Sequence, residues 1–200
     1  MSDQGMTGPA GAQHQLDDDL SALARDTAAE ARAYLVAVTD VAAGANPSTG
    51  LSVLLLAVSQ VLLAGARLGA ISDVVPQSRF EPDPGPEPDV DPLHAGLANV
   101  LEGIDDYGEI FDPIVPGGAV HGSLSGDLAE VASALDHGLH HFEAGRIDEA
   151  LWWWQFSYLS SWGPRAASAL RVVQSILGHL RLDADEEVVA DAEFDALNLP

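Results

Sequence analysis

Apolar residues recur every three or four positions along most of this chain, and no stretch shows the strict alternation or the Val/Ile/Thr runs of a sheet. The pattern predicts about six helices. Leu16, Leu20, Leu23, Thr27, Ala31, Tyr34, Val38 and Val41 trace the first, with Asp17, Asp18 and Asp19 at its positive end and Gly44 and Pro47 closing it. The second, near residues 51–70, is apolar almost throughout (LSVLLLAVSQVLLAGARLGA) and is therefore expected deep in a bundle. Its most apolar part, 51–66, includes Ser52, Ser59 and Gln60 and falls short of the ~20 apolar residues that span hydrocarbon, so a core helix is expected, not a membrane span. Asp91-Pro92 opens the third as N-cap and first helical residue, with Leu93, Leu97, Leu101, Ile104 and Tyr107 inward as far as Gly108. A turn-rich connection follows, from which Ile110 and Phe111 are expected to plug the core. The fourth, near 124–144, carries a heptad-like seam of Leu124, Leu128, Val131, Leu135, Leu139 and Phe142, and Gly145 ends it.

The fifth helix, 148–162, reads DEALWWWQFSYLSSW and holds all four tryptophans. Ile147, Leu151, Trp154, Tyr158 and Trp162 form one stripe and Trp152, Phe156 and Leu159 a second on the opposite side. Such a helix is expected to be sheathed by its neighbours, as the element the rest packs around. Asp148 stands as its N-cap, and Gly163-Pro164 reads as its stop and as the start of a sixth helix through Ala167, Leu170, Val173, Leu177 and Leu180. Short connections predict that these last three helices are antiparallel neighbours. The segment HHFEAGRIDEALWWW also looks like the helix-turn-helix junction of a tetratricopeptide repeat, but it occurs once, so an αα-hairpin is the reading. The fold class is thus an all-α, single-domain bundle over residues 16–182, after a disordered segment 1–15 and before an acidic tail 183–200.

Between the second and third helices, residues 71–92 hold six of the twelve prolines among many acids, which rules out regular structure there. They form either a strap lying across the bundle or a solvated acidic loop, and a loop of this length is often functional. Phe80, Glu81, Asp83, Glu87, Asp89 and Asp91 are its candidate partner-docking residues.

Charge narrows the function classes. The chain has 31 acids against 8 bases, all arginine, for a net charge of −23. Nucleic-acid phosphate and anionic membranes are repelled by such a chain, so neither is an expected partner. A protein partner with a basic or mixed surface fits, although solubility alone is the plainer account of the acidity. With no cysteine, disulfides, thiolate metal sites and a cysteine nucleophile are all excluded. The amino terminus has neither the basic nor the apolar region of a signal peptide, and a cytoplasmic location is the expectation.

The segments LVAVTDVAAG, LLLAVSQVLLAGARLGA, FEPDPGPEPDVD, IDDYGEIFDP and HGLHHFEAGRIDEALWWWQFSYLSSWG, spread over 27–182, resemble a family of actinobacterial proteins classed as a domain of unknown function. The resemblance implies a cytosolic helical domain and carries no catalytic residues with it.

Two constellations have chemical potential. Wound at helical pitch, Asp127, Glu130, His137 and His141 share one arc of the fourth helix, and all four are legal metal ligands. No second helix offers a complementary Glu-x-x-His, so the competing reading is a solvated polar face. On the tryptophan helix, Gln155 and Tyr158 beside Trp154 and Trp162 form a polar edge that suits a small ligand, or that bonds internally to Ser59 or Gln60 of the second helix. Nucleophile-elbow, zincin, phosphate-loop and dinucleotide signatures are missing and no cofactor is implied. The leading expectation is a non-enzymatic protein-interaction domain. The alternatives are a small-ligand-binding or metal-dependent helical enzyme and an acidic DNA mimic; sequence leaves the oligomeric state open.

Overall fold

A computed structural model of the chain describes residues 9–45, 47–76, 88–109, 118 and 120–182. The helical periodicity becomes α1 (Pro9–Ala42), α2 (Gly50–Gly69), α3 (Asp91–Val100), α4 (Leu124–Glu143), α5 (Ile147–Ser157) and α6 (Gly163–Leu182). α1 starts well ahead of Leu16, so its first turn carries no acid and Asp17–Asp19 lie further along. It ends where Gly44 takes φ 72°, with the amide of Ala45 reaching back to the carbonyl of Asp40 at 3.0 Å, a closure that needs a left-handed residue. Ala24, Ala28, Ala31, Tyr34, Val38 and Val41 form its buried stripe. Small residues on that stripe let α2 lie close alongside.

α2 is long and apolar enough to cross a membrane by length and composition. In the bundle, Leu54, Val58, Val61 and Leu68 face α1, α5 and α6. Its far side is not covered as the composition suggested, since Leu56 and Leu63 are 64% and 56% exposed.

The third helix is shorter than its periodicity. It stops at Val100, Gly103 turns the chain at φ 85°, and Asp106–Glu109 forms a strand, β1, paired antiparallel with β2 (Val120–Ser123). This two-stranded ribbon corrects the expectation of a chain without strands. Its register sets Tyr107 opposite Gly122, where a Cβ would stand 2.5 Å from the phenol ring carbon Cζ. Asp105 staples the ribbon to α4: its carboxylate accepts from the Ser125 amide at 2.7 Å and the Ser125 hydroxyl at 2.8 Å, while Ser123 caps α4 by accepting from the Gly126 amide at 3.2 Å.

α4, not the tryptophan helix, is the element at the centre. α1, α3, α5 and α6 all pack on it, and Ser125, Asp127, Ala132, Gly138 and His141 are buried along with the leucine seam. From Ile147 to Leu182 the helical backbone is unbroken. Five residues, Tyr158–Trp162, form a π-turn between α5 and α6, and the Gly163 amide donates to the Tyr158 carbonyl. Pro164 lacks the N–H that an α-helix interior needs, and the wider turn just before it absorbs that defect without a break. Hence Gly163-Pro164 is not a stop, and α5 and α6 lie in sequence along α2 and α4 instead of folding back on each other. The bundle consists of about five helical rods. Phe80, Glu81, Asp83 and Glu87 of the expected strap, Ile110 and Phe111, and the tail 183–200 lie outside the described residues.

Candidate functional site

The rod of α5, π-turn and α6 divides its aromatic residues between core and surface. Trp154 is fully buried, stands over Gly138 of α4 and donates from Nε1 to the Leu135 carbonyl at 3.0 Å. Trp162 is buried with its ring centroid 4.9 Å from that of Tyr158, and both rings lie over Gly65 of α2. Gln155, 4% exposed, donates from its amide to the Leu68 carbonyl at 2.9 Å and accepts from the Val74 amide at 2.8 Å. It ties the chain after α2 to the rod. Its partners are thus main-chain groups at the end of α2, not Ser59, whose hydroxyl bonds the Leu55 carbonyl, nor Gln60, which is exposed. Of the four candidate ligand-binding residues, three are packed inside and Tyr158 is half-buried.

The opposite stripe is open. Trp152 and Phe156 stack at 5.1 Å with nearly parallel rings, and Phe156 and Leu159 are 52% and 59% exposed. The rod is therefore sheathed on one side only, a correction to the expectation of cover all round. Two clefts flank the open side. One, of about 420 Å³, lies among Val74, Val75, Trp152, Phe156 and Leu159. The other, of about 670 Å³, opens between residues 88–91, α4 and the rod, with Asp89, Asp91, Glu130, His137, Trp153 and Phe156 in its wall and no arginine there among the described residues. Asp89 and Asp91, the described members of the docking set, thus meet Glu130 and His137 from the metal arc.

That arc itself does not close. The Asp127 carboxylate accepts from the Tyr107 hydroxyl and, at 2.9 Å, from Arg165 of α6, tying the ribbon and the rod to α4. Burial pushes the Asp127 carboxyl above its usual range, although the bonds from Tyr107 and Arg165 pull the other way. The Tyr107 phenol is likewise raised well above its ordinary value by burial and by Asp127. Glu130 is exposed, and His141 is buried with its Nδ1 against Glu149 of α5. Among the described residues, no group of three or more His, Asp or Glu is placed to hold a metal ion. The solvated-face alternative also fails for two members, since Asp127 and His141 are 5% and 1% exposed.

His141 meets Glu149 of α5 across the α4–α5 turn, with Nδ1 and Oε2 at 2.9 Å, and Arg146 Nε lies 2.7 Å from the same oxygen. Sequence reading passed over Glu149. The signal was available: an acid in the first turn of one arm of an αα-hairpin faces a histidine in the last turn of the other. Burial lowers the His141 pKa below its ordinary 6.5, more than Glu149 raises it. An unfolded chain therefore takes up a proton that the folded one resists. The contribution of His141 to stability is complete above pH 6.5 and is lost as pH falls through its folded value. Melting temperature measured from neutral toward acid pH will accordingly fall more steeply in the wild type than in His141→Gln, and parallel curves would contradict this assignment.

Taken together, the fold and the clefts define a small helical-bundle domain with an acidic, aromatic cleft beside its central helix. Residues 18–179 match the family described as "Domain of unknown function (DUF5063)", and the chain belongs to that family. Among solved structures it is similar to protein BF1032 from Bacteroides fragilis, at 16% identity and a TM-score of 0.61 over 80% of this chain and 92% of that one. At that identity the likeness shows a shared fold. No curated protein matches the chain.

Proposed function

We propose that this domain is a cytoplasmic protein-interaction module that docks a basic segment of a partner in the cleft beside α4. The observation that carries the reading is the makeup of that cleft: Asp89, Asp91 and Glu130 in its wall with the rings of Trp153 and Phe156. Carboxylates accept the N–H groups of a guanidinium, and an aromatic face adds roughly 0.5–1 kcal/mol per cation at an exposed site. A net charge of −23 steers basic partners toward the molecule and turns nucleic acid away. Each contact is modest because the groups are wet, so affinity should fall steeply with salt.

Titrating the full chain with a labelled arginine-rich peptide, and with an acidic peptide of equal length, tests this directly. The basic peptide alone should bind, more weakly as salt rises. Combining Asp89→Asn, Asp91→Asn and Glu130→Gln should weaken it by about tenfold or more. Equal affinity for both peptides, or no change in the triple variant, would remove the cleft from consideration.

A further inference from the structure

A second feature stands beside the cleft and is independent of peptide docking. His137 and His141 are one helical turn apart on the same side of α4. Nε2 of both rings is shielded from solvent and, among the described residues, has no hydrogen-bond partner. Buried imidazole nitrogens nearly always find one, so two such atoms on adjacent turns call for an explanation. Trp153 packs against both rings, with centroids 5.9 Å from His137 and 6.2 Å from His141, and its own Nε1 is also without a partner among the described residues.

Glu149 fixes the chemistry of the pair. Its Oε2 lies 2.9 Å from His141 Nδ1, and a carboxylate oxygen can only accept, so this contact is a bond in the tautomer that carries the proton on Nδ1. Arg146 Nε points at that nitrogen too, at 3.2 Å, a bond that would need the other tautomer, but the same Nε lies closer to Glu149 Oε2, at 2.7 Å, and its N–H is better placed on that charged acceptor. With the proton on Nδ1, the lone pair of His141 is left on Nε2. A carboxylate behind an imidazole whose far nitrogen is bare is the arrangement that orients metal-binding histidines and raises their basicity. His137 meanwhile lines the cleft of about 670 Å³, which supplies an entrance and room for further donors.

We infer that His137 and His141 form a two-imidazole site for a late first-row divalent metal ion, zinc(II) before others, with Glu149 as the positioning carboxylate. Imidazole nitrogen suits zinc, nickel and copper, whereas the all-oxygen ions calcium and magnesium have no use for it. Among the described residues no third carboxylate or imidazole joins the pair, so the remaining positions belong to water or to a donor brought by a partner. With only two protein ligands, its affinity is moderate.

The experiment uses the full chain, free of any affinity tag, and zinc(II) alone, followed by calorimetry and by competition with a chromophoric chelator. One equivalent should bind, and saturation should raise the melting temperature. His137→Ala should abolish that equivalent. Because His137 is only partly buried, this variant should fold, which its metal-free melt will verify. Glu149→Gln should retain binding but weaken it by about 10- to 100-fold. His140→Ala, removing the exposed histidine between the two, should bind like wild type. Absence of a stoichiometric equivalent, its persistence in His137→Ala, or its loss in His140→Ala would each overturn the site. None of these outcomes depends on whether a basic peptide binds the cleft.

Discussion

Truncating Trp154 to alanine will cost about 3–5 kcal/mol of folding stability, the range for emptying a large aromatic site in a core. Three observations put this position at the upper end. The side chain is fully buried, it fills the space over Gly138 where α5 crosses α4, and its ring packs 6.1 Å from that of Phe142. The hydrogen bond to the Leu135 carbonyl is the smaller part of the loss, because that carbonyl lies within the α4 ladder. Against a usual total of roughly 5–15 kcal/mol, such a deficit is severe. For a chain of this size it corresponds to a drop of roughly 6–20 °C in melting temperature. Trp152→Ala provides the comparison: half-buried and stacked on exposed Phe156, it should cost no more than about 1–2 kcal/mol. Equal losses in the two variants would mean that the division of the rod into a core side and an open side is wrong.

Gly138→Ala should behave in a way no propensity scale anticipates. Alanine favours a helix over glycine by about 1 kcal/mol, yet a Cβ at this position would stand 2.0 Å from Trp154 Nε1 and 2.3 Å from two further indole atoms. The indole is locked in place and cannot swing aside, so overpacking of about 1–3 kcal/mol should outweigh the helix gain. In a Trp154→Ala background the obstruction is gone, and the same substitution should become neutral or stabilising by up to about 1 kcal/mol. That reversal of sign in a double-mutant cycle, read by urea or thermal melts, is the test. A cost that stays the same in both backgrounds would locate the strain elsewhere.

The helices were legible because leucine, valine and alanine repeat at a helical interval, and the bounds of α2 and α4 fall within one residue of that reading. The ribbon was not. Each strand is four residues long and includes a glycine and polar groups, too short for a period of two to show. The central position of α4 was hidden for a related reason: much of its buried surface is Ser125, Asp127, Ala132, Gly138 and His141, which raise no hydrophobic signal. Small residues there record closeness of neighbours, a property of two elements that one element's sequence cannot display. Likewise the acids and imidazoles of α4 shared an arc on paper, but Asp127 was claimed by a ribbon and an arginine from elsewhere in the chain. The docking residues were half legible. Asp89 and Asp91 do border a cleft, whereas the Glu130, His137 and Trp153 beside them come from elements that only folding brings together.

The π-turn has a bearing on how the two ends of the rod are tied. A helix advances about 100° with each residue, so one residue accommodated in a wide loop shifts the angular phase of everything downstream by that amount. The inward alanines of α6, Ala166 and Ala169, and the arginine that reaches Asp127 are aimed correctly only because Tyr158–Trp162 takes up that phase. Homologues with a single-residue deletion in this stretch would have to re-index a whole helix against α2 and α4, so chain length there should be held as tightly as any side chain.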